Sequence, residues 1–169
     1  ELHRRWFESF LPKEDVQYKN FSDELHGISI SGPKSRELLS RICRENVSKD
    51  SLKFLDIRET FVAGVPCLLN RIYFSGELGY EIYTATHFQL KLFEEIESKG
   101  AELGLTLYGS RALMSLRLEK SWGAWGVDYR PDFTAMESGL NQFINWKKDF
   151  IGKKLSIQEK EAGPSKKLS

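Results

Sequence analysis

Glu59-Thr60-Phe61-Val62-Ala63-Gly64-Val65-Pro66-Cys67-Leu68-Leu69-Asn70 reads as a chain that turns back on itself. The runs 59–62 and 66–74 are rich in β-branched, aromatic and aliphatic residues, and Ala63-Gly64 between them is a hairpin signal. Antiparallel pairing is therefore the first structural expectation. Upstream, Leu25-His26-Gly27-Ile28-Ser29-Ile30 alternates apolar with small or polar residues, the pattern of a half-buried strand. Ser31-Gly32-Pro33 ends it and starts a helix, with Leu38, Leu39 and Ile42 on the inner face. Residues 44–54 read as a polar loop. Downstream, Ser75-Gly76-Glu77-Leu78-Gly79 is a glycine-bounded loop and Tyr80-Glu81-Ile82-Tyr83 a short strand.

Thr86 is placed as the N-cap of a helix over 87–99, whose inner face is Phe88, Leu92, Phe93 and Ile96 and whose end is Gly100. Leu103-Gly104-Leu105-Thr106-Leu107 is expected to be a strand, 110–120 a helix, and Leu140 to Trp146 an extended run. At the amino end, Leu2, Trp6, Phe7 and Phe10 recur at helical spacing, and Pro12 closes that helix. The order β-α-β-β-(β)-α-β predicts an α+β fold. It consists of an antiparallel sheet with helices on one face, a split β-α-β (ferredoxin-like) core. The expected divisions are an amino-terminal helix and linker over 1–24 and a split β-α-β subdomain over 25–108. Then come a helix, Trp-rich loop and strand over 109–158, and a disordered tail over 159–169.

Composition narrows the function classes. The 169 residues carry 25 Lys plus Arg against 24 Asp plus Glu, so no bulk signature for binding nucleic acid is present. No apolar run approaches the roughly 18 residues a membrane helix requires. Cys43 and Cys67 stand outside any Cys-x-x-Cys pattern, and His3, His26 and His87 lack metal-ligand spacing, so no metal site is expected. A phosphate-binding glycine loop, a nucleophile elbow and a dinucleotide fingerprint are all missing. Glu1 is not Met and aromatics crowd the first ten residues, so the chain is expected to begin in mid-protein.

Two segments remain as candidates for chemistry. In Tyr73-Phe74-Ser75-Gly76-Glu77-Leu78-Gly79-Tyr80-Glu81-Ile82-Tyr83, glycines permit close backbone approach and aromatics flank two carboxylates. Strand parity points Glu81 away from Tyr80 and Ile82. Such a carboxylate can accept two parallel N–H bonds from a flat heterocycle, as it does from a guanidinium. The competing reading makes Glu77 a solvated turn residue and Glu81 the partner of a basic side chain. In Leu116-Arg117-Leu118-Glu119-Lys120-Ser121-Trp122-Gly123-Ala124-Trp125-Gly126, the two tryptophans either wall a pocket or anchor a helix-to-loop junction in the core.

Five motifs occur in one order: Gly76-Glu77-Leu78-Gly79-Tyr80-Glu81, Ser115 to Lys120, Ala124-Trp125-Gly126, Met136-Glu137-Ser138-Gly139-Leu140 and Asp149-Phe150-Ile151-Gly152-Lys153. In that series, over residues 1–160, the chain resembles the glycine-cleavage T-protein (aminomethyltransferase) superfamily. Glu-Lys after Leu-Arg-Leu, and Ala-Trp-Gly, resemble its dimethylglycine and sarcosine dehydrogenase branch. The resemblance implies a tetrahydrofolate cofactor, an N-methylated glycine-type substrate and 5,10-methylenetetrahydrofolate as product. It implies FAD on a separate domain of a larger parent, whose remaining domains are the partners. The compartment it implies is the bacterial cytoplasm or the mitochondrial matrix.

By the same resemblance Glu81 is the pterin-holding glutamate. Phe74 and Tyr80 help form the pterin wall, and Trp125, with Trp122, shapes the neighbouring loop. Arg111 is a candidate for the folate tail. This chain has Phe74-Ser75-Gly76 where the family usually has Tyr-Thr-Gly, and Leu113 where T-proteins proper carry an arginine. The family's catalytic aspartate lies upstream, so no catalytic residue is assigned here. Two related functions stay open: a sulfonium demethylase of the dimethylsulfoniopropionate kind, and a non-catalytic folate-binding module. Asp149 to Lys153 stands where the latter carries a cysteine-containing motif.

Overall fold

The computed structural model describes residues 2–12 and 14–166. They form two compact units, residues 1–114 and 115–169.

The first unit is built on four strands: β1 (Leu25–Ser31), β2 (Ile57–Val62), β3 (Val65–Asn70) and β4 (Gly79–Ala85). All pairings are antiparallel and the spatial order is β1-β4-β3-β2. The hairpin forms as read, with Val62 opposite Val65 and both Ala63 and Gly64 at positive φ (52° and 73°). Those dihedrals give a turn whose twist matches that of the strands. The second strand stops at Asn70, short of Phe74. There Arg71 donates its N–H to Asp56 and accepts from Leu55, so its backbone leaves the ladder.

Between β1 and β2 lies α2 (Ser35–Ile42), preceded in the chain by α1 (Leu2–Phe10). At the end of β1, Gly32 has φ 128° and donates its N–H to the Leu78 carbonyl, while the Ser35 hydroxyl reaches the same oxygen. This crossing ties the entry of α2 to the loop that feeds β4. After β4 a 3-10 turn (Thr86–Phe88) leads into α3 (Gln89–Ala101). Thr86 is not the cap: its hydroxyl donates to the Asp23 carbonyl instead.

Helices α2 and α3 cover one face of the sheet. The core between comprises Ile30, Val62, Val65, Leu69, Tyr80 and Ile82 from the strands and Leu38, Leu39, Leu92 and Ile96 from the helices. Val47 and Leu52, from the loop read as polar, are also buried there. The strand pair joined through α2 stands at the two sheet edges, with β4 and β3 between them.

The strand expected over Leu103–Leu107 does not form. Leu103 and Leu105 both donate their N–H to the Gly100 carbonyl, and Gly104 has φ 77°. The alternation there belongs to a turned-back helix end, in which Leu105 presses on Gly100 closely enough to exclude any side chain.

Helix α4 (Ser110–Glu119) runs across the division between the units, and α5 (Lys153–Ala162) closes the second. Among its described residues this second unit holds no strand. The extended run expected over Leu140–Trp146 is a turn: Leu140 donates to the Ala135 carbonyl, and Asn141–Phe143 is a 3-10 turn. The tail expected to be disordered from residue 159 is helical through Ala162. Beyond that, the Ser165 hydroxyl donates to Glu137 at 2.6 Å and Lys166 lies 4.4 Å from the centre of the Phe133 ring. Those two contacts hold the segment down; residues 167–169 lie outside the described set.

Candidate functional site

Strand alternation sends Tyr80, Ile82 and Thr84 of β4 into the core and Glu81 and Tyr83 to the face without helices. The register then fixes their neighbours. Glu81 lies between Ser29 of β1 and Asn70 of β3, and Tyr83 between Gly27 and Leu68. Glu81 thus sits in mid-sheet, flanked by two short polar side chains. The partly buried Tyr83 hydroxyl donates to Glu81 Oε2 at 2.5 Å. The carboxylate pushes the phenol up to about 12, first through that hydrogen bond, then with help from burial and from its charge. The phenol therefore remains a neutral donor throughout the physiological range. The reading that pairs Glu81 with a basic side chain gives way to this one: its bond is to a phenol.

The other sequence-derived residues fall in different places. Tyr80 is fully buried on the helix side, where its hydroxyl accepts from Arg36 Nε at 3.0 Å. It is a core residue and cannot share a ligand surface with Glu81 across the sheet. Phe74 is half-buried in the loop that leads into β4. Arg111 is exposed near the start of α4.

Trp122 and Trp125 belong to the second unit and are exposed, which removes the core-anchor reading. Their loop is held from beneath by Arg117. This residue is 3% exposed, and its Nη1 donates to the Trp122 carbonyl at 2.9 Å and to the Asp128 carboxylate. Asp128 also accepts the Ala124 N–H at 2.8 Å. That bond, more than the guanidinium, holds its carboxyl below the ordinary range, against the opposing effect of desolvation. Gly123 leaves room for the Tyr129 ring, whose tip occupies the space a Cβ would take.

Sequence reasoning missed Tyr83, Gly27, Ser29 and Asn70. The parity that singled out Glu81 applies equally to Tyr83 two residues on. The other three become neighbours only through strand register, which one sequence does not display. Elsewhere in the first unit, an apolar cleft of about 720 Å³ runs beside β1, lined by residues that include Ile28, Ile30, Leu38, Ile96 and Leu105. Among the described residues no group of three or more His, Cys, Asp or Glu is placed to hold a metal. No described helix is long and apolar enough to cross a membrane.

An antiparallel sheet with helices on one face and a polar carboxylate–phenol pair on the other defines an open-faced α+β domain. The sequence matches the GCVT N-terminal domain over residues 1–148, and the chain belongs to that family. It is 37% identical over 173 aligned residues to the mitochondrial dimethylglycine dehydrogenase of Homo sapiens, covering 99% of this chain and 20% of that protein. It is 31% identical to an aminomethyltransferase of Thermoanaerobacter sp. (strain X514), over 99% of this chain and 46% of that one. With the sarcosine oxidase alpha subunit of Corynebacterium sp. (strain P-1) it shares 30% identity over 91% of this chain and 16% of that one. The chain therefore spans about a fifth of the length of the dimethylglycine dehydrogenases it matches. Among solved structures, the heterotetrameric sarcosine oxidase of Corynebacterium sp. U-96 superposes with a TM-score of 0.50 at 19% identity. The match covers 60% of this chain and 51% of that one, and it supports the fold.

Proposed function

We propose that this chain is the tetrahydrofolate-holding part of a one-carbon transfer enzyme of the T-protein kind. Its role is that of the folate module of a dimethylglycine or sarcosine dehydrogenase, yielding 5,10-methylenetetrahydrofolate. The observation that carries the reading is the placement of Glu81: a carboxylate at the centre of the sheet's uncovered face, with one lone pair engaged by Tyr83. The names of the relatives support the reaction class.

The fit is chemical. A pterin presents a ring N–H and a 2-amino group side by side, and a carboxylate accepts two such donors in parallel. Oε1 and the remaining lone pair of Oε2 serve as acceptors, while Ser29 and Asn70 offer hydrogen-bonding groups at the margin. Tetrahydrofolate, when bound, supplies the two nitrogens that take up the one-carbon unit. Glu81 orients the ring and takes no part in the bond changes. Oxidation of an N-methylated amine belongs to an FAD domain of the parent, as the dehydrogenase relatives suggest.

The test is Glu81→Gln in the complete protein that carries this sequence, with tetrahydrofolate affinity measured by titration. Hydrogen bonds to a charged group contribute about 1.5–3 kcal/mol, so the expected loss is roughly 10- to 100-fold. Unchanged affinity would remove Glu81 from the site.

A further inference from the structure

We infer that Tyr83 is the positioning residue for the Glu81 carboxylate and that Gly27 is glycine to seat it. This rests on the pterin-holding reading of Glu81 and extends it.

Two independent observations meet here. The first is the 2.5 Å hydrogen bond from the Tyr83 hydroxyl to Glu81 Oε2. The second is steric. Gly27 lies directly opposite Tyr83 in the β1–β4 register. A Cβ at Gly27 would stand 3.0 Å from Tyr83 Cε1 and 3.3 Å from Cδ1. The ring therefore lies across the bare backbone of Gly27, a cross-strand contact that an aromatic makes with a strand glycine. Nothing in the backbone of Gly27 calls for glycine, since its φ is not among the positive ones. The constraint comes from the ring, which a Cβ at Gly27 would push back by a few tenths of an ångström.

The consequence is geometric. A glutamate side chain has three rotatable bonds, and two parallel N–H donors are met only when the carboxylate plane is correctly turned. Tyr83 holds Oε2 from one side, so the plane is set before ligand arrives and less rotamer freedom is lost on binding. The phenol is a donor with no competing positive charge, so the carboxylate retains its own charge for the ligand. Tyr83 touches Glu81 rather than the reacting atoms, which makes it a positioning residue.

The experiment is a set of tetrahydrofolate affinities for the complete protein that carries this chain. The variants are Glu81→Gln, Tyr83→Phe, Gly27→Val and the double variant of the last two. A second ligand, the tetrahydrofolate analogue lacking the 2-amino group, is titrated in parallel. Tyr83→Phe is expected to weaken tetrahydrofolate binding about 3- to 10-fold, the scale of one hydrogen bond. It should leave the analogue within about two-fold, since a single remaining donor depends less on the plane of the carboxylate. Gly27→Val should weaken binding by itself and add little in the Tyr83→Phe background, because both act through one hydroxyl.

If Glu81→Gln weakens binding but Tyr83→Phe leaves both ligands unchanged, the positioning role is overturned while the glutamate's role stands. If Tyr83→Phe weakens both ligands equally, its part is structural and the inference fails. If Glu81→Gln itself has no effect, the underlying reading fails first.

Discussion

Glu81 and Tyr83 are two residues apart, and their relation shows how much one position can encode. Parity along β4 puts both on the uncovered face, and the chain needs no long-range information to bring carboxylate and phenol together. Their hydrogen bond also makes stability depend on pH in one direction. The Tyr83 phenol is raised to about 12 in the folded chain, and it titrates near 10 when unfolded. The bond's contribution is therefore complete below about pH 10 and is lost as pH rises through about 12. Tyr83→Phe is expected to melt below the wild type at neutral pH, with the two curves converging across that alkaline window. A difference that stayed constant to high pH would show that the hydrogen bond to Glu81 does not account for it, since Phe keeps the ring that packs on Gly27. The opposite case is Tyr80. The same parity sends it into the core, so its nearness to Glu81 in sequence gives no shared surface.

Elements were legible where local signals agreed and opaque where a period of two arose from something other than a strand. The hairpin was readable from Gly64, which takes φ 73° freely, set between two β-rich runs; Ala63 must also take a positive φ, 52°. Ala63 does so at a cost, since a left-handed conformation disfavours a residue with a Cβ by about 1–2 kcal/mol. Asn tolerates that region better, so Ala63→Asn should stabilise the chain by about 0.5–1 kcal/mol. For a chain this long, that raises Tm by about 2–4 °C per kcal/mol, checked by thermal melts. No gain, or a loss, would mean that the N–H contact from Ala63 to the Ile42 carbonyl constrains the turn more than its dihedrals do. By contrast, Leu103-Gly104-Leu105 alternates as a strand does, yet Gly104 in the left-handed region marks the close of α3. Leu140 to Trp146 fails similarly, just after Gly139 at φ 72°. In both, the glycine was the better signal than the apolar residues that followed or flanked it. Burial of Val47 and Leu52 was hidden by the polar residues around them.

At the scale of the whole molecule, the two units differ in what holds them. Every member of the apolar core, from Ile30 to Ile96, lies in the first unit. In the second, Ala124 is the one buried hydrophobic among the described residues, and the other buried side chains, Arg117 and Glu137, are charged. Its order comes instead from polar ties. Arg117 and Asp128 hold the tryptophan loop. Thr134 and Glu137 each accept the other's backbone N–H, at 3.1 and 3.0 Å, in a reciprocal capping box. Burying one large aliphatic side chain contributes about 1.5–3 kcal/mol, and the first unit buries a cluster of such side chains where the second relies on a few partly solvated polar ties. Local opening should therefore cost far less in the second unit than in the first. Hydrogen exchange followed residue by residue is expected to show the slowest amides in β3 and β4, at Leu69, Tyr80 and Ile82. Amides from Ser121 onward should exchange orders of magnitude faster, with Ala124, bonded to Asp128, the slowest of its loop. Equal protection in both units would refute this division of stability. The functional reading depends on it, because Glu81 lies on the strand expected to open last. A carboxylate whose plane must be set in advance belongs on the most rigid element available, and β4, paired on both sides and packed beneath by α2, is that element.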